Sequence, residues 1–193
     1  MGTLVDTLNA ANANATFFVT GTVYGCIHNR AAFIRKAVKS GHQIASHTWS
    51  HANLANLTSE QVTTEMVKLE GAFATILYGV KPTYMRLPYL SINDNVVGVM
   101  KNLGYRIVQI DVDSQDWNNL SPEQSMERIK AAGVSGNGHI PLMHDTVKTT
   151  PAGLVPLVIA WAKENKLKMV TVAECLGDHT PYVVNLTKKT DTC

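Results

Sequence analysis

Five side chains suited to metal or acid–base chemistry stand in four short motifs. They are His47 and His51 in HTWSH, Arg86 in RLPY, Asp116 in DSQDW and His144 in LMH. His47 and His51 are four residues apart, so one helical turn brings both imidazoles to the same side. Neutral imidazole suits zinc, and such a pair ordinarily takes a third ligand, often a carboxylate. In isolation the same spacing also describes two polar residues on a solvated turn. His144 ends an apolar run, where a lone His is usually a hydrogen-bonded core residue. Asp116, at another strand end, could bond it, fix its tautomer and raise its pKa toward that of a useful general acid. Arg86, just before Leu87-Pro88, reads either as a surface ion-pair partner or as the group that keeps a catalytic carboxylate charged.

The elements that must position these residues alternate along the chain. A helix over Thr3–Ala11 precedes a buried strand at Ala15–Thr20, and Asn29 is placed to cap a helix through Ser40 that Gly41 closes. His42–Ser46 reads as a strand, and Thr58 with Gln61 forms a capping box for a long helix to about Leu77. Tyr84–Leu87 is a short strand, Asn93–Leu103 a helix and Arg106–Val112 an apolar strand. Ser121 with Pro122 opens a helix through Ala132. Ile140–Met143 reads as a strand, Ala152–Asn165 as a helix, Lys168–Val172 as a strand, and the rest as a tail. Repeated strand–helix units predict an α/β fold with a parallel sheet, open or closed into a barrel, in one domain over residues 1–193. In a barrel, functional residues gather after the strand C-termini, which is where all four motifs fall.

Composition removes several classes of function. Seventeen Lys+Arg against fifteen Asp+Glu leave a net charge of +2 with the basic residues scattered, whereas a nucleic-acid footprint needs a clustered stripe. No apolar run approaches the roughly 20 residues that cross a bilayer. The N-terminal residues carry no secretory signal pattern. Cys26, Cys175 and Cys193 form no CxxC pair, so a zinc ribbon is excluded. One disulfide plus a free thiol would fit a secreted chain, and three buried thiols a cytosolic one. Asn14, Asn56 and Asn185 head N-glycosylation sequons.

In that order the motifs resemble the NodB homology domain of carbohydrate esterase family 4, which holds chitin and peptidoglycan deacetylases and acetyl xylan esterases. ATFFVTG, GHQIASHTWSH and the ECLGD near the end are similar in wording to fungal chitin deacetylases. The resemblance implies a distorted (β/α) barrel of fewer than eight strands. It implies that His47 and His51 bind a divalent metal, most often zinc with cobalt possible, which polarises an acetyl carbonyl and acidifies water. It gives the backbone N–H of Tyr89 to the oxyanion and makes His144, oriented by Asp116, the acid for the departing amine. Pro88, Tyr89, Trp117 and Leu142 would line the glycan groove, although Trp117 and Leu142 read equally as ordinary core. An extracellular or cell-wall location and a chitin or chitooligosaccharide substrate follow by the same resemblance.

One motif has no counterpart. The family's first, T-[FY]-D-D-G-P, supplies the general base and the third metal ligand, and the residues before ATFFV are helix-like. Asp6 matches neither aspartate and reads as a solvated helix residue. The expectation is therefore an incomplete barrel without its first strand, a metal held by two protein ligands, an Arg86 without its carboxylate and a sheet edge open to self-association. The resemblance pairs the ECLGD cysteine with one upstream of that motif, which leaves Cys175 with Cys26 or Cys193 as an open alternative. Three functions remain: a metal-dependent deacetylase acting on N- or O-acetylated glycan, a catalytically impaired relative that binds glycan or metal, and an interaction protein working through its sheet edge.

Overall fold

The computed structural model describes residues 2–136, 138–184 and 193. Among them the elements run α1 (Gly2–Ala10), β1 (Thr16–Val19), α2 (Ala31–Lys39), β2 (Gln43–Ser46), α3 (Ser59–Ile76), β3 (Val80–Pro82), β4 (Tyr84–Met85), α4 (Asp94–Asn102), β5 (Arg106–Ile107), β6 (Val112–Asp113), α5 (Pro122–Ala131), β7 (Pro141–Leu142), α6 (Val155–Glu164), α7 (Val172–Cys175) and β8 (Tyr182–Val184). They fall into two units: Thr16–Gln109 with Gly177–Cys193, and Met1–Ala15 with Ile110–Leu176.

In the unit that begins at Thr16, β1, β2, β4 and β5 make a parallel sheet in that order. Parallel neighbours need crossover connections, and α2, α3 and α4 lie on them. All four residues of β2 are buried, as expected of a strand covered on both faces. Helix α3 starts at the capping box read from sequence: the Thr58 hydroxyl accepts from Gln61 N–H and the Gln61 side chain accepts from Thr58 N–H. Two N–H groups that the first turn would leave unpaired are thereby satisfied. From α3, Val62 and Met66 pack with Leu54, Met85, Leu87, Val96 and Met100 in one buried cluster, which seats the end of β4. Asn93 caps α4 by accepting from Val96 N–H. Helix α2 differs from expectation at its start. Asn29 lies inside a 3-10 turn, Ile27–Arg30, and Arg30 stands at the cap without a side-chain bond. The chain is committed earlier, because Ile27 is buried and its N–H donates to Gly21 O.

Residues expected as a tail complete this unit. Strand β8 pairs antiparallel with β3, and the Tyr182 hydroxyl accepts from Ile44 N–H at 2.9 Å. Asp178 accepts from the Tyr84 hydroxyl at 2.7 Å and pairs with Arg106 at 3.0 Å. Cys26 and Cys193 form a disulfide, and Cys175 is the exposed free thiol; pairing of Cys175 with either is thus overturned.

In the other unit, α1 buries Leu4, Val5 and Leu8 and exposes Asp6. Strands β6 and β7 pair in parallel, Val112 with Pro141 and Asp113 with Leu142. Helix α5 has the Ser121–Gln124 capping box with Pro122 in its first turn, and its Met126 and Ile129 pack with Val112, Leu154 and Val158. The run Arg106–Val112, expected as one strand, divides between β5 and β6. The expected helix from Ala152 begins instead as a π-helical turn, Thr150–Leu154. The strand expected at Lys168–Val172 does not form. Met169 O accepts from Asn14 N–H, but Thr171 caps the short helix α7 by accepting from Glu174 N–H and turns the chain away from a ladder. No helix among the described residues is long and apolar enough to cross a membrane. Asn56 is exposed and Asn14 half-buried, while Asn185 lies outside the described residues.

Candidate active site

The histidine pair is built where β2 runs out. His47 N–H still donates to Val19 O, and Arg86 N–H donates to Ser46 O, so the sheet fixes His47 and Arg86 beside each other. The chain then turns with Thr48 at φ 70° and His51 at φ 59°, left-handed values that side-chain-bearing residues seldom adopt. The turn brings His51 Nε2 to 3.1 Å from His47 Nε2. His47 Nδ1 lies 2.7 Å from Arg86 O; a carbonyl only accepts, so Nδ1 carries the proton and Nε2 presents its lone pair. Two imidazole nitrogens on one tetrahedral zinc would stand about 3.3 Å apart, so the pair fits two positions of a divalent ion. Among the described residues no cluster of three or more His, Cys, Asp or Glu is placed to hold a metal.

Arg86 is buried. Its guanidinium lies 4.2 Å over the Phe18 ring, and Nε and Nη2 donate to Val108 O and Gln109 O, both at 3.4 Å. Burial pulls its pKa down to about 10, and none of the ion pairs among the described residues includes it. Beyond it, Pro88 is buried, while Tyr89 and Leu90 take left-handed φ of 58° and 54°. The Tyr89 ring is 68% exposed, and it meets the His51 ring edge-on with centroids 4.9 Å apart.

In the unit that holds β6 and β7, Asp116 is buried and accepts three hydrogen bonds: His144 N–H at 2.6 Å, His144 Nδ1 at 2.8 Å and the Thr150 hydroxyl at 2.6 Å. Burial alone would raise its pKa, but the bonds from His144 and Thr150 outweigh that and hold it below the usual carboxylate range. The charged carboxylate therefore sets His144 with its proton on Nδ1. Trp117 is 53% exposed, with its indole N–H donating to Asp113, which removes the core reading for that residue. Leu142 is half-buried, and its carbonyl accepts from the Ser114 hydroxyl at 2.6 Å.

Reasoning from sequence missed Thr150 and Ser114. Thr150 comes from a polar loop with no periodic signal; Ser114 lies inside DSQDW, where only Asp116 and Trp117 drew notice. A further regularity was invisible in the letters. Among the described residues nine non-glycine residues have positive φ, and Thr48, His51, Tyr89, Leu90 and Gln115 of these lie in or beside the motifs. Backbone strain of this kind gathers at functional sites.

The architecture is an α/β one, with parallel strands, helical crossovers and the motif residues at the strand ends. A solved chitin deacetylase from Colletotrichum lindemuthianum matches it with a TM-score of 0.90 and 34% identity, over 96% of this chain and 86% of that one. A family 4 carbohydrate esterase from Streptomyces lividans matches with a TM-score of 0.78 and 26% identity, over 96% and 90%. Residues 2–108 match the polysaccharide deacetylase family, and the chain belongs to that family. A chitin deacetylase from Arthroderma benhamiae is 38% identical over 180 residues, 92% of this chain and 48% of its own length. A probable peptidoglycan-N-acetylglucosamine deacetylase of that fungus is 37% identical over 177 residues, 91% and 40%. The chain thus spans about half the length of these two curated relatives.

Proposed function

We propose that this chain is a metal-dependent hydrolase removing N-acetyl groups from N-acetylglucosamine polymers or oligomers, in the manner for which its chitin deacetylase relatives are named. The observation that carries this reading is the convergence of His47 and His51 Nε2 to 3.1 Å, with the His47 tautomer set by the Arg86 carbonyl. The pair would hold zinc or cobalt, which supplies Lewis-acid polarisation of the acetyl carbonyl. His144 keeps one proton on Nδ1 against Asp116, so a second proton on Nε2 is the one delivered to the departing amine. The charge of Asp116 stabilises the imidazolium that carries both. Tyr89 offers its backbone N–H to the oxyanion, and the exposed faces of Tyr89 and Trp117 suit stacking on sugar rings. The Cys26–Cys193 disulfide supports an extracellular or cell-wall setting.

The test is acetate release from chitopentaose with added zinc or cobalt. His144→Ala should lower the rate by about 10²–10⁴-fold, the usual loss of a general acid; equal rates for it and the wild type would remove the acid role. A second reading, a glycan-binding relative without turnover, is favoured by the lack of a third metal-ligating side chain beside the pair among the described residues. Retention on a chitin column with no acetate from any sample would support that reading.

A further inference from the structure

We infer that Glu65 is a positioning residue for the His47–His51 turn, acting through Ser50; the inference rests on the metal reading of that pair. Glu65 stands mid-way along α3, half-buried, and reaches the turn three times. Its Oε2 accepts from Ser50 N–H at 2.8 Å, its Oε1 accepts from the Ser50 hydroxyl at 2.7 Å, and its backbone carbonyl accepts from Trp49 N–H at 3.2 Å. The residues so gripped lie between the two that carry left-handed φ, Thr48 and His51.

A turn with two side-chain-bearing residues in that region persists only where its surroundings over-determine it. On one side the hold comes from Gly21 and Thr22, whose N–H groups donate to Trp49 O at 2.8 and 3.0 Å. That contact needs glycine, because a Cβ at Gly21 would fall 2.2 Å from the Trp49 ring. On the other side the hold is Glu65, and its carboxylate grips both hydrogen-bond donors of Ser50, the residue next to His51. With the sheet fixing His47 from behind, Glu65 governs where His51 Nε2 points and hence whether the two Nε2 atoms can face one ion. Nothing in HTWSH announces a partner fifteen residues downstream on a helix.

The experiment compares wild type, Glu65→Ala, Glu65→Gln and, as a control for lost stability, Val62→Ala in the buried cluster one turn away. Two quantities are read on the oxidised full chain: zinc affinity by calorimetry, and amide hydrogen exchange of residues 48–51 without metal. Glu65→Ala should weaken zinc about 10–100-fold, the usual effect of losing a group that orients a ligand, and should expose the 48–51 amides. Glu65→Gln should stay near wild type in both. Its amide oxygen accepts from Ser50 N–H, and the Ser50 hydroxyl turns to accept from the amide nitrogen. Val62→Ala should lower the melting temperature and leave both readings as they are. Unchanged exchange of the 48–51 amides in Glu65→Ala, or equal exposure of them in Val62→Ala, would overturn the inference. Absence of zinc binding by the wild type would remove the metal reading alone, since the metal-free exchange comparison still decides whether Glu65 holds the turn.

Discussion

Replacing Arg86 by Met should make the protein more stable. Arg86 is 7% exposed, and burial lowers its pKa from the ordinary guanidinium value to about 10. At 1.36 kcal/mol for each tenfold change in protonation, that drop is a penalty of about 3 kcal/mol against the charged form in the folded state. The native pKa lies below the unfolded one, so the penalty is present in full at every pH below about 10 and fades only as pH rises from there toward the unfolded value. Against it stand two long bonds at 3.4 Å and the Phe18 face at 4.2 Å, the latter worth about 0.5–2 kcal/mol. No carboxylate among the described residues pairs with the charge, so the usual reason that breaking a buried ion pair is destabilising does not apply. Met fills a similar length and keeps contact with the ring. The net gain should be about 1–2 kcal/mol, read as a rise of about 2–4 °C in Tm for each kcal/mol in a chain of this size. Urea unfolding at pH 7 on metal-free, oxidised protein measures it directly. Zinc affinity should not change, because His47 is oriented by the Arg86 backbone carbonyl. A loss of more than about 1 kcal/mol would refute the reasoning and mean that the carbonyls and ring more than repay the burial of the charge.

Other outcomes follow from the same geometry. The double change His47→Ala, His51→Ala should abolish stoichiometric zinc binding in calorimetry, and the wild type should bind more weakly than sites with a charged third ligand. Asp116→Asn should destabilise by about 2–3 kcal/mol at pH 7, since it disrupts hydrogen bonds to a charged acceptor. The depressed carboxylate contributes stability above its unfolded pKa and loses it as pH falls through the folded one, so the difference between variant and wild type should shrink below about pH 4. Thiol titration of the native, unreduced protein should count one reactive group, Cys175, and Cys175→Ser should remove it.

What could be read in the letters was what local chemistry determines. The capping box at Thr58, the helix start at Ser121-Pro122, the Gly41 stop and the apolar runs of β1, β2 and β4 each announce themselves within a few residues. The spacing of His47 and His51 marked the pair, but a bend with left-handed Thr48 and His51 joins them where a helical turn was expected. What escaped depended on partners far along the chain. Strand β3 is three residues long and its partner lies about a hundred positions away, so no periodicity marks either one. RIVQIDV looks like one strand because its apolar residues are continuous, but its two ends find different ladders. Lys168–Val172 has strand-like residues, and Thr171 spends itself on a helix cap instead. The three bonds on Asp116 come from a histidine foreseen and a threonine that was not, because hydroxyl residues in loops are too common to single out.

The return of Gly177–Val184 to the unit begun at Thr16 bears on how the protein is made. A ribosome releases residues 16–109 well before it reaches 177. At about 5–20 residues per second, the wait for the Asp178 contacts and for β8 lasts several seconds. Throughout it β3 has an open edge, and Tyr84 and Arg106 lack their acid. An unpaired strand is a template for pairing with other chains, so chaperone cover during this interval should matter more for yield than the final stability does. Slowing translation after residue 109 should lengthen the exposure, and raise aggregation, without altering the finished molecule.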